Sequence, residues 1–162
     1  GVLILVFKPF KVNDLIHVNG NTGYVIKIDI LYTRIKTFDG RIITMPNGNV
    51  SNSDVDNRTM EKYRRVDLNL KFSYNERIEE LRKIVGDALR THPGLVHELP
   101  VELYCDEIGE YELKMKARCW VESVEYWPVY WEMLETVKNA LDEKGIKIPI
   151  PKREVYQGEA NT

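Results

Sequence analysis

Cysteine is scarce in this chain, with only Cys105 and Cys119 among 162 residues. That is too few for a disulfide framework and fits a reducing compartment. Histidine is hardly more abundant at three residues. His92 and His97 have no third ligand within reach in the sequence, so they read as exposed loop histidines and not as a zinc site. Neither sign of charge dominates. The formal net charge is −2, which provides no global basic field to hold nucleic acid or an anionic membrane surface. A membrane-spanning apolar run is also missing. Val2 to Phe7 are apolar, but as a helix they rise only roughly 10 Å against a hydrocarbon core of about 30 Å. No charged n-region precedes them, as a signal peptide would require. The first residue is Gly1 and not Met, so the chain reads as a piece of something longer.

The motifs of catalysis are missing as well. There is no Walker-type phosphate loop, no dinucleotide fingerprint, no His-Glu-x-x-His and no Cys-x-x-Cys. No enzymatic chemistry, cofactor or metal is expected. Gly20-Asn21-Thr22-Gly23 superficially matches the loop with which KH domains clamp a nucleic-acid backbone. It lies between strands and not between helices, so a hairpin turn is the better reading. Asn57-Arg58-Thr59 spells a glycosylation sequon, which has no meaning in a reducing compartment. Glu79-Glu80 and Asp142-Glu143 fall on polar helix faces and read as solvated. Lys62, Arg64 and Arg65 make a short basic cluster that reads as a solvated hinge between domains, too small for an anion site.

What is present is a folded composition, 43% hydrophobic and 30% charged. Short strand signals crowd residues 12–59: Asp14 to Val18, an alternating run from Tyr24 to Ile30, Thr33 to Phe38, and Arg41 to Met45 after the hairpin dipeptide Asp39-Gly40. Pro46-Asn47-Gly48 then stops the last of these, and Asp54 to Asn57 adds one more. Several short strands with no room for a long helix predict a small closed barrel. Gly48 is expected to hold a positive φ in the stopping turn, so that a β-branched residue there would damage the barrel.

From Tyr63 the pattern changes. Val66 to Phe72 alternates as a strand, and Glu76 to Arg90 carries a helical stripe ended by His92-Pro93-Gly94. Two strands follow, around Val101 to Cys105 and Leu113 to Val121. Cys105 and Cys119 share their apolar face but are offset on the order of 15 Å along the strands, so they read as buried thiols and not as a disulfide. Pro128 begins a second helix that Gly145 stops, and Ile146 to Tyr156 gives a last extended piece. Strand–helix–strand–strand–helix–strand is the ferredoxin-like order. The fold expected is therefore α+β: a small SH3/Sm-like β-barrel followed by a ferredoxin-like α/β domain.

The ordered series Gly1 to Phe10 ending in Phe-Lys-Pro-Phe-Lys, Val12-Asn13-Asp14, Gly20 to Val25, Thr33, Asp39-Gly40, Ile43 to Gly48 and Asn57 resembles the MscS family of mechanosensitive channels. Trp131 and Gly145-Ile146-Lys147-Ile148-Pro149 continue the likeness, which covers nearly the whole chain. The resemblance implies the cytoplasmic part of one channel subunit. Residues 1–10 would be the end of a pore-lining transmembrane helix, with Gly1 as a bend and Lys8, Pro9 and Phe10 at the membrane exit. Residues 11–60 would be the barrel and 61–156 the α/β domain, with a disordered tail at 157–162. Pro46, Asn47 and Gly48 would be the barrel's signature turn, and Ile150, Val155 and Tyr156 would lie on an assembly strand.

The resemblance also implies a homo-oligomer, a heptamer, in the cell's inner membrane. Its transmembrane helices would lie outside this chain, and tension would open it to ions and osmolytes during hypo-osmotic shock. Two other readings compete. One is nucleic-acid binding, for which Lys114, Lys116, Arg118 and Trp120 share one strand face, although Glu112 and Glu122 flank them. The other is a soluble regulatory module that binds a metabolite.

Overall fold

The computed structural model describes residues 9–146, and this part of the chain forms two compact units. The first contains the described residues up to Arg64 together with Glu122–Tyr126. Its opening hairpin joins β1 (Leu15–Val18) to β2 (Asn21–Ile28), paired from Val18↔Asn21 to Leu15↔Tyr24. Between them Asn19 and Gly20 take φ of +49° and +75°. Positive φ at both central residues matches the twist of the flanking strands, and Gly20 pays no Cβ penalty there. The turn is therefore Asn19-Gly20, and Asn21, Thr22 and Gly23 already belong to β2.

β3 (Tyr32–Lys36) and β4 (Ile42–Pro46) extend the sheet. Asp39-Gly40 lies in the loop between them as the sequence predicts, with Gly40 at φ +87°. α1 (Asn47–Ser51) follows directly, and β5 (Asp56–Asn57) returns to pair with β1.

The strand order is β4-β3-β2-β1-β5, with β4 and β5 at opposite edges. The sheet does not close, which corrects the expectation of an SH3/Sm-like barrel. The cause is local. The stretch after β4 forms a helix, and β5 has only two residues, too short for a second ladder. The apolar face is covered by other means: Phe10 and the α1 residue Val50 join Ile16, Val18, Val25, Ile35 and Met45 in one buried cluster. Burying each such large side chain contributes about 1.5–3 kcal/mol before entropy is counted. Helix and chain start thus supply the cover that barrel closure would have given.

The second unit holds β6 (Tyr63–Ser73) from Arg65 onward, α2 (Ile78–Arg90), β7 (Glu102–Ile108), β8 (Glu112–Glu122) up to Val121, and α3 (Tyr126–Glu143) from Trp127. Its sheet is antiparallel between β7 and β8, in the order β6-β8-β7. Along β8, Leu113, Met115, Ala117, Cys119 and Val121 are buried while the intervening residues are not. On α2, Leu81, Ile84, Val85, Ala88 and Leu89 form the buried stripe, and on α3 Val129, Met133, Val137 and Leu141 do so. Cys119 Sγ lies 3.6 Å from Met133 Sδ, joining strand to helix.

The described residues give strand–helix–strand–strand–helix, one strand short of the ferredoxin-like pattern, and that expectation is corrected to a three-stranded sheet with two helices. The expected last strand, with Ile150, Val155 and Tyr156, lies outside the described residues apart from Ile146.

α3 ends as the sequence predicts. Gly145 has φ +73°, its N–H donates to the Asp142 carbonyl at 3.0 Å, and the Ile146 N–H donates to the Leu141 carbonyl at 3.0 Å. This is a Schellman stop, in which glycine takes the left-handed position. α3 begins two residues before Pro128, which still falls in the first turn, where a missing N–H loses nothing.

Candidate functional site

Two polar anchors hold the first unit, and both use residues of the ordered series. The first lies where the chain enters the unit. Phe10 is buried in the core, while Pro9 beside it is exposed. Asn13 turns the chain with φ +77°, and its N–H donates to the Val25 carbonyl at 2.8 Å. Asp14 is 6% exposed, and a carboxylate so placed needs donors. It has them: Oδ2 accepts from the Lys11 N–H at 3.0 Å and from Asn57 Nδ2 at 2.8 Å. The Asn57 amide also donates to the Pro9 carbonyl at 3.2 Å. Its oxygen accepts from the N–H groups of Thr59 and Met60 at 3.2 and 3.0 Å. The Thr59 hydroxyl accepts the Leu15 N–H at 3.0 Å. Residues 9–15 and 57–60 are thus tied together, and the bonds fix the path of the incoming chain.

The second anchor is Asn47, fully buried at the start of α1. Its oxygen accepts from the Thr33 hydroxyl at 2.7 Å, and its amide donates to the carbonyls of Asp29 and Ile30 at 2.7 and 3.1 Å. Its own N–H donates to the Leu31 carbonyl at 2.8 Å. Side chain and backbone of Asn47 together take the three carbonyls of residues 29–31. Pro46 and Gly48 have no comparable role. Pro46 ends β4, and Gly48 is helical, exposed and not at positive φ, so the expected strain at Gly48 is corrected. Of the other residues picked from the sequence, Gly1, Lys8, Ile150, Val155 and Tyr156 lie outside the described residues.

The β3–β4 loop is tied by short polar bonds. The Thr37 hydroxyl donates to Asp39 Oδ1, and Arg41 Nε donates to Asp39 Oδ2 at 2.9 Å. These bonds, that from Thr37 first, hold the exposed Asp39 carboxyl below the ordinary carboxylate range.

In the second unit, the strand face that offered a nucleic-acid reading is neutralised. Lys114 pairs with Glu107 at 2.9 Å, Lys116 with Asp106 at 3.3 Å, and Arg118 approaches Asp67 at 3.8 Å. The hydrogen bond that Lys114 donates to the Glu107 carboxylate holds its ammonium above the usual lysine range. Cations already engaged in this way make a poor phosphate strip. The basic cluster is engaged too, with Arg64 3.8 Å over the Tyr126 ring and Arg65 bonded to Asp67 at 2.6 and 3.0 Å.

His92 is buried, against expectation. Its Nδ1 accepts the Gly94 N–H at 3.1 Å, and Nε2 lies 3.6 Å from Glu132. His97 is exposed as expected. Cys119 is a buried thiol, whereas Cys105 is only partly buried, beside a bulge in β7, and its partner across the ladder is Met115. Among the described residues no cluster of three or more His, Cys, Asp or Glu is placed to hold a metal, and no helix is long and apolar enough to cross a membrane.

The sequence singled out Asp14 and Asn57 without a joint role, and Thr59 only as part of a sequon without meaning. The available signal was the pairing of an Asn-Asp turn with an Asn-x-Thr segment, both rich in local acceptors.

Two family models match in succession: the mechanosensitive ion channel beta-domain over residues 1–60, and the mechanosensitive ion channel MscS C-terminal model over residues 65–148. The chain is 29% identical over 160 residues to a small-conductance mechanosensitive channel of Edwardsiella ictaluri, covering 99% of this chain and 56% of that protein. It is 30% identical over 167 residues to the small-conductance mechanosensitive channel MscMJ of Methanocaldococcus jannaschii, covering 99% of this chain and 47% of that one. The structure of Helicobacter pylori MscS in its closed state is similar with a TM-score of 0.88 at 27% identity, over 98% of this chain and 63% of that one. The chain spans about half the length of these curated relatives.

Proposed function

The chain belongs to the MscS family of mechanosensitive ion channels, and from that premise we propose that it is the cytoplasmic part of one subunit of a channel opened by membrane tension. Opening would release ions and small osmolytes in hypo-osmotic shock. The observation that carries this reading is the succession of both family models along one chain, 1–60 and then 65–148. The part of the relatives that this chain does not span would hold the transmembrane helices in the cell's inner membrane. Residues 1–10 are read as the end of the pore-lining helix, with Gly1 as a bend and Lys8, Pro9 and Phe10 at the membrane exit. Residues 11–60 and 61–156 are read as two cytoplasmic domains. The subunits form a homo-oligomer, a heptamer, with Ile150, Val155 and Tyr156 on an assembly strand.

The outer face of the first unit supports assembly. Tyr24, Ile26, Phe38 and Ile42 are all exposed there, and the Tyr24 and Phe38 rings meet edge to face at 5.8 Å. Such apolar surface is costly to leave in water and is covered when copies associate. Pro46-Asn47-Gly48 serves the architecture and not a ligand, because Asn47 has spent its polar atoms internally. The similarity to a closed-state structure leads us to take the contacts described above as those of the non-conducting form.

The test is patch-clamp recording of the full-length gene product in a membrane that lacks its own tension-activated channels. Stepwise currents that grow with suction are expected. Silence up to membrane rupture, with the protein confirmed in the membrane, overturns the reading.

A further inference from the structure

The loop between β2 and β3 holds two large aliphatic side chains in water. Ile30 and Leu31 are 71% and 67% exposed, and Tyr32 beside them is exposed as well. Loop tips are ordinarily built from small and polar residues, so an adjacent apolar pair there is a surface that asks for cover. The tip is also held still. The Asp29 N–H donates to the Tyr32 carbonyl at 2.8 Å across the base of the loop, and Asn47 takes the carbonyls of Asp29, Ile30 and Leu31. A fixed tip has little freedom left to lose on docking.

Strand register places the tip. Asn13 lies level with Val25, whose carbonyl takes its N–H, and Ile28 pairs with Thr33. The tip and the entering residues 9–14 therefore share one end of the sheet. Phe38 and Ile42 lie at the other end, next to the Lys36↔Ile42 pair. At the tip's end, Lys11 and Arg34 are exposed and have no ion pair among the described residues. The acids near them are spent: Asp29 is paired with Lys27 at 2.9 Å, and Asp14 is buried and hydrogen-bonded. Glu61, past β5, is followed at once by Lys62.

We propose that the Ile30–Leu31 tip is an interfacial anchor that dips into an anionic lipid surface, with Lys11 and Arg34 against the headgroups. This rests on the channel reading, which turns the end where the chain enters toward the bilayer. The two aliphatic side chains are buried at the boundary of headgroups and acyl chains, and the amphipathic Tyr32 ring suits the headgroup level. Screening limits the attraction of anionic lipid to charges within about 8 Å at physiological salt. The two local cations therefore count, and the net charge of −2 on the whole chain does not oppose them.

The experiment places a tryptophan at the tip, Leu31→Trp, in the full-length protein reconstituted into vesicles of phosphatidylcholine with and without phosphatidylglycerol, each with brominated acyl chains. The emission of the parent is subtracted, and Phe38→Trp at the opposite end of the sheet is the control. Brominated lipid is expected to quench the Leu31→Trp emission, more strongly when phosphatidylglycerol is present, and to leave Phe38→Trp unchanged. Adding Lys11→Gln and Arg34→Gln should bring the quenching in phosphatidylglycerol down to the level in phosphatidylcholine alone. Equal quenching in both lipids overturns the role given to the two cations. Emission that is blue-shifted but not quenched means that protein covers the tip, and it overturns the anchor, as does equal quenching of Leu31→Trp and Phe38→Trp. If Leu31→Trp does not assemble, Ile30→Trp reports on the same tip with the same outcomes. Quenching needs no tension, so a parent that is silent under suction overturns the channel reading, whereas a parent that opens under suction with an unquenched tip overturns the anchor alone.

Discussion

The Thr33 hydroxyl donates to the Asn47 side-chain oxygen at 2.7 Å, in a place where both residues are fully buried. The bond joins β3 to the first residue of α1, and the Asn47 amide nitrogen closes the loop between β2 and β3 by capturing two of its carbonyls. A buried polar group is tolerable only when its partners are complete. Replacing Asn47 by Ala would orphan the buried Thr33 hydroxyl and release the Asp29 and Ile30 carbonyls of the part-buried loop together. The expected loss is about 2–4 kcal/mol, at the upper end for one substitution. Urea unfolding of the chain measures it. Thr33→Val, which leaves Asn47's other bonds in place, should cost less, and equal costs would show that the carbonyl contacts carry no weight.

Gly48, next to Asn47, is expected to behave in the opposite way. It is helical, its φ is not positive, and a Cβ built on it would meet nothing within 4 Å. Gly48→Ala should stabilise the unit by about 0.5–1 kcal/mol, because alanine has less freedom to lose on folding and suits a helix. A loss of stability would mean that the helix does not persist in solution. Gly23 is the contrasting case. A Cβ there would lie 2.6 Å from the Lys36 carbonyl oxygen, which is backbone and cannot step aside. Gly23→Ala should destabilise, with the β2–β3 hydrogen bonds the first to lose protection from amide exchange.

Local periodicity carried most of what could be read in the sequence. Alternation from Leu113 to Val121, the α2 stripe and the Gly145 stop depend on neighbours a few residues apart, so they were legible. Closure of the first sheet was not. Whether β4 meets β5 is decided by how residues 47–55 are used, and Pro46-Asn47-Gly48 carries turn signals that read as a stop and not as a helix start. Burial of Val50 and the four bonds of Asn47 override that weak propensity. Asp14 and Asn57 were visible as residues, but their meeting was not, because 43 residues separate them and neither periodicity nor turn chemistry reports such a pairing. The buried state of His92 was hidden for the same reason: Glu132 approaches it from α3, 40 residues along the chain.

In the second unit, Gly94 packs against Val129 of α3 so closely that an added Cβ would lie 2.8 Å from both valine methyls. Val129 is 7% exposed, and a β-branched side chain has few rotamers to retreat into. Gly94→Ala should cost about 1–3 kcal/mol through overpacking. Val129→Ala removes the obstructing methyls at its own cavity cost. In the double variant the two losses should not add, since the new methyl fills part of the space that the old ones left. A double-mutant cycle by urea unfolding tests this, and strict additivity would place the two residues out of contact.

Cys119 gives the chain a sign-specific response to alkali. The thiol is fully buried, 3.6 Å from Met133 Sδ. Burial, with a smaller effect from Asp67, pushes it up from 9.0 to about 11. Below the lower value both the folded and unfolded chains hold the proton, and the whole contribution to stability is present. Between the two values the unfolded chain releases the proton and the folded one retains it, so stability falls as pH rises, and the contribution is spent once pH passes the folded value. At about 1.4 kcal/mol per pH unit this is on the order of 2–3 kcal/mol. Cys119→Ala lacks the titrating group but keeps every other alkaline titration, so the stability difference between the parent and this variant isolates the thiol. That difference should move against the parent between about pH 9 and pH 11 by roughly the amount above. A difference that stays flat over this range would mean that the thiol ionises equally in both states, which a sealed position beside Met133 does not allow.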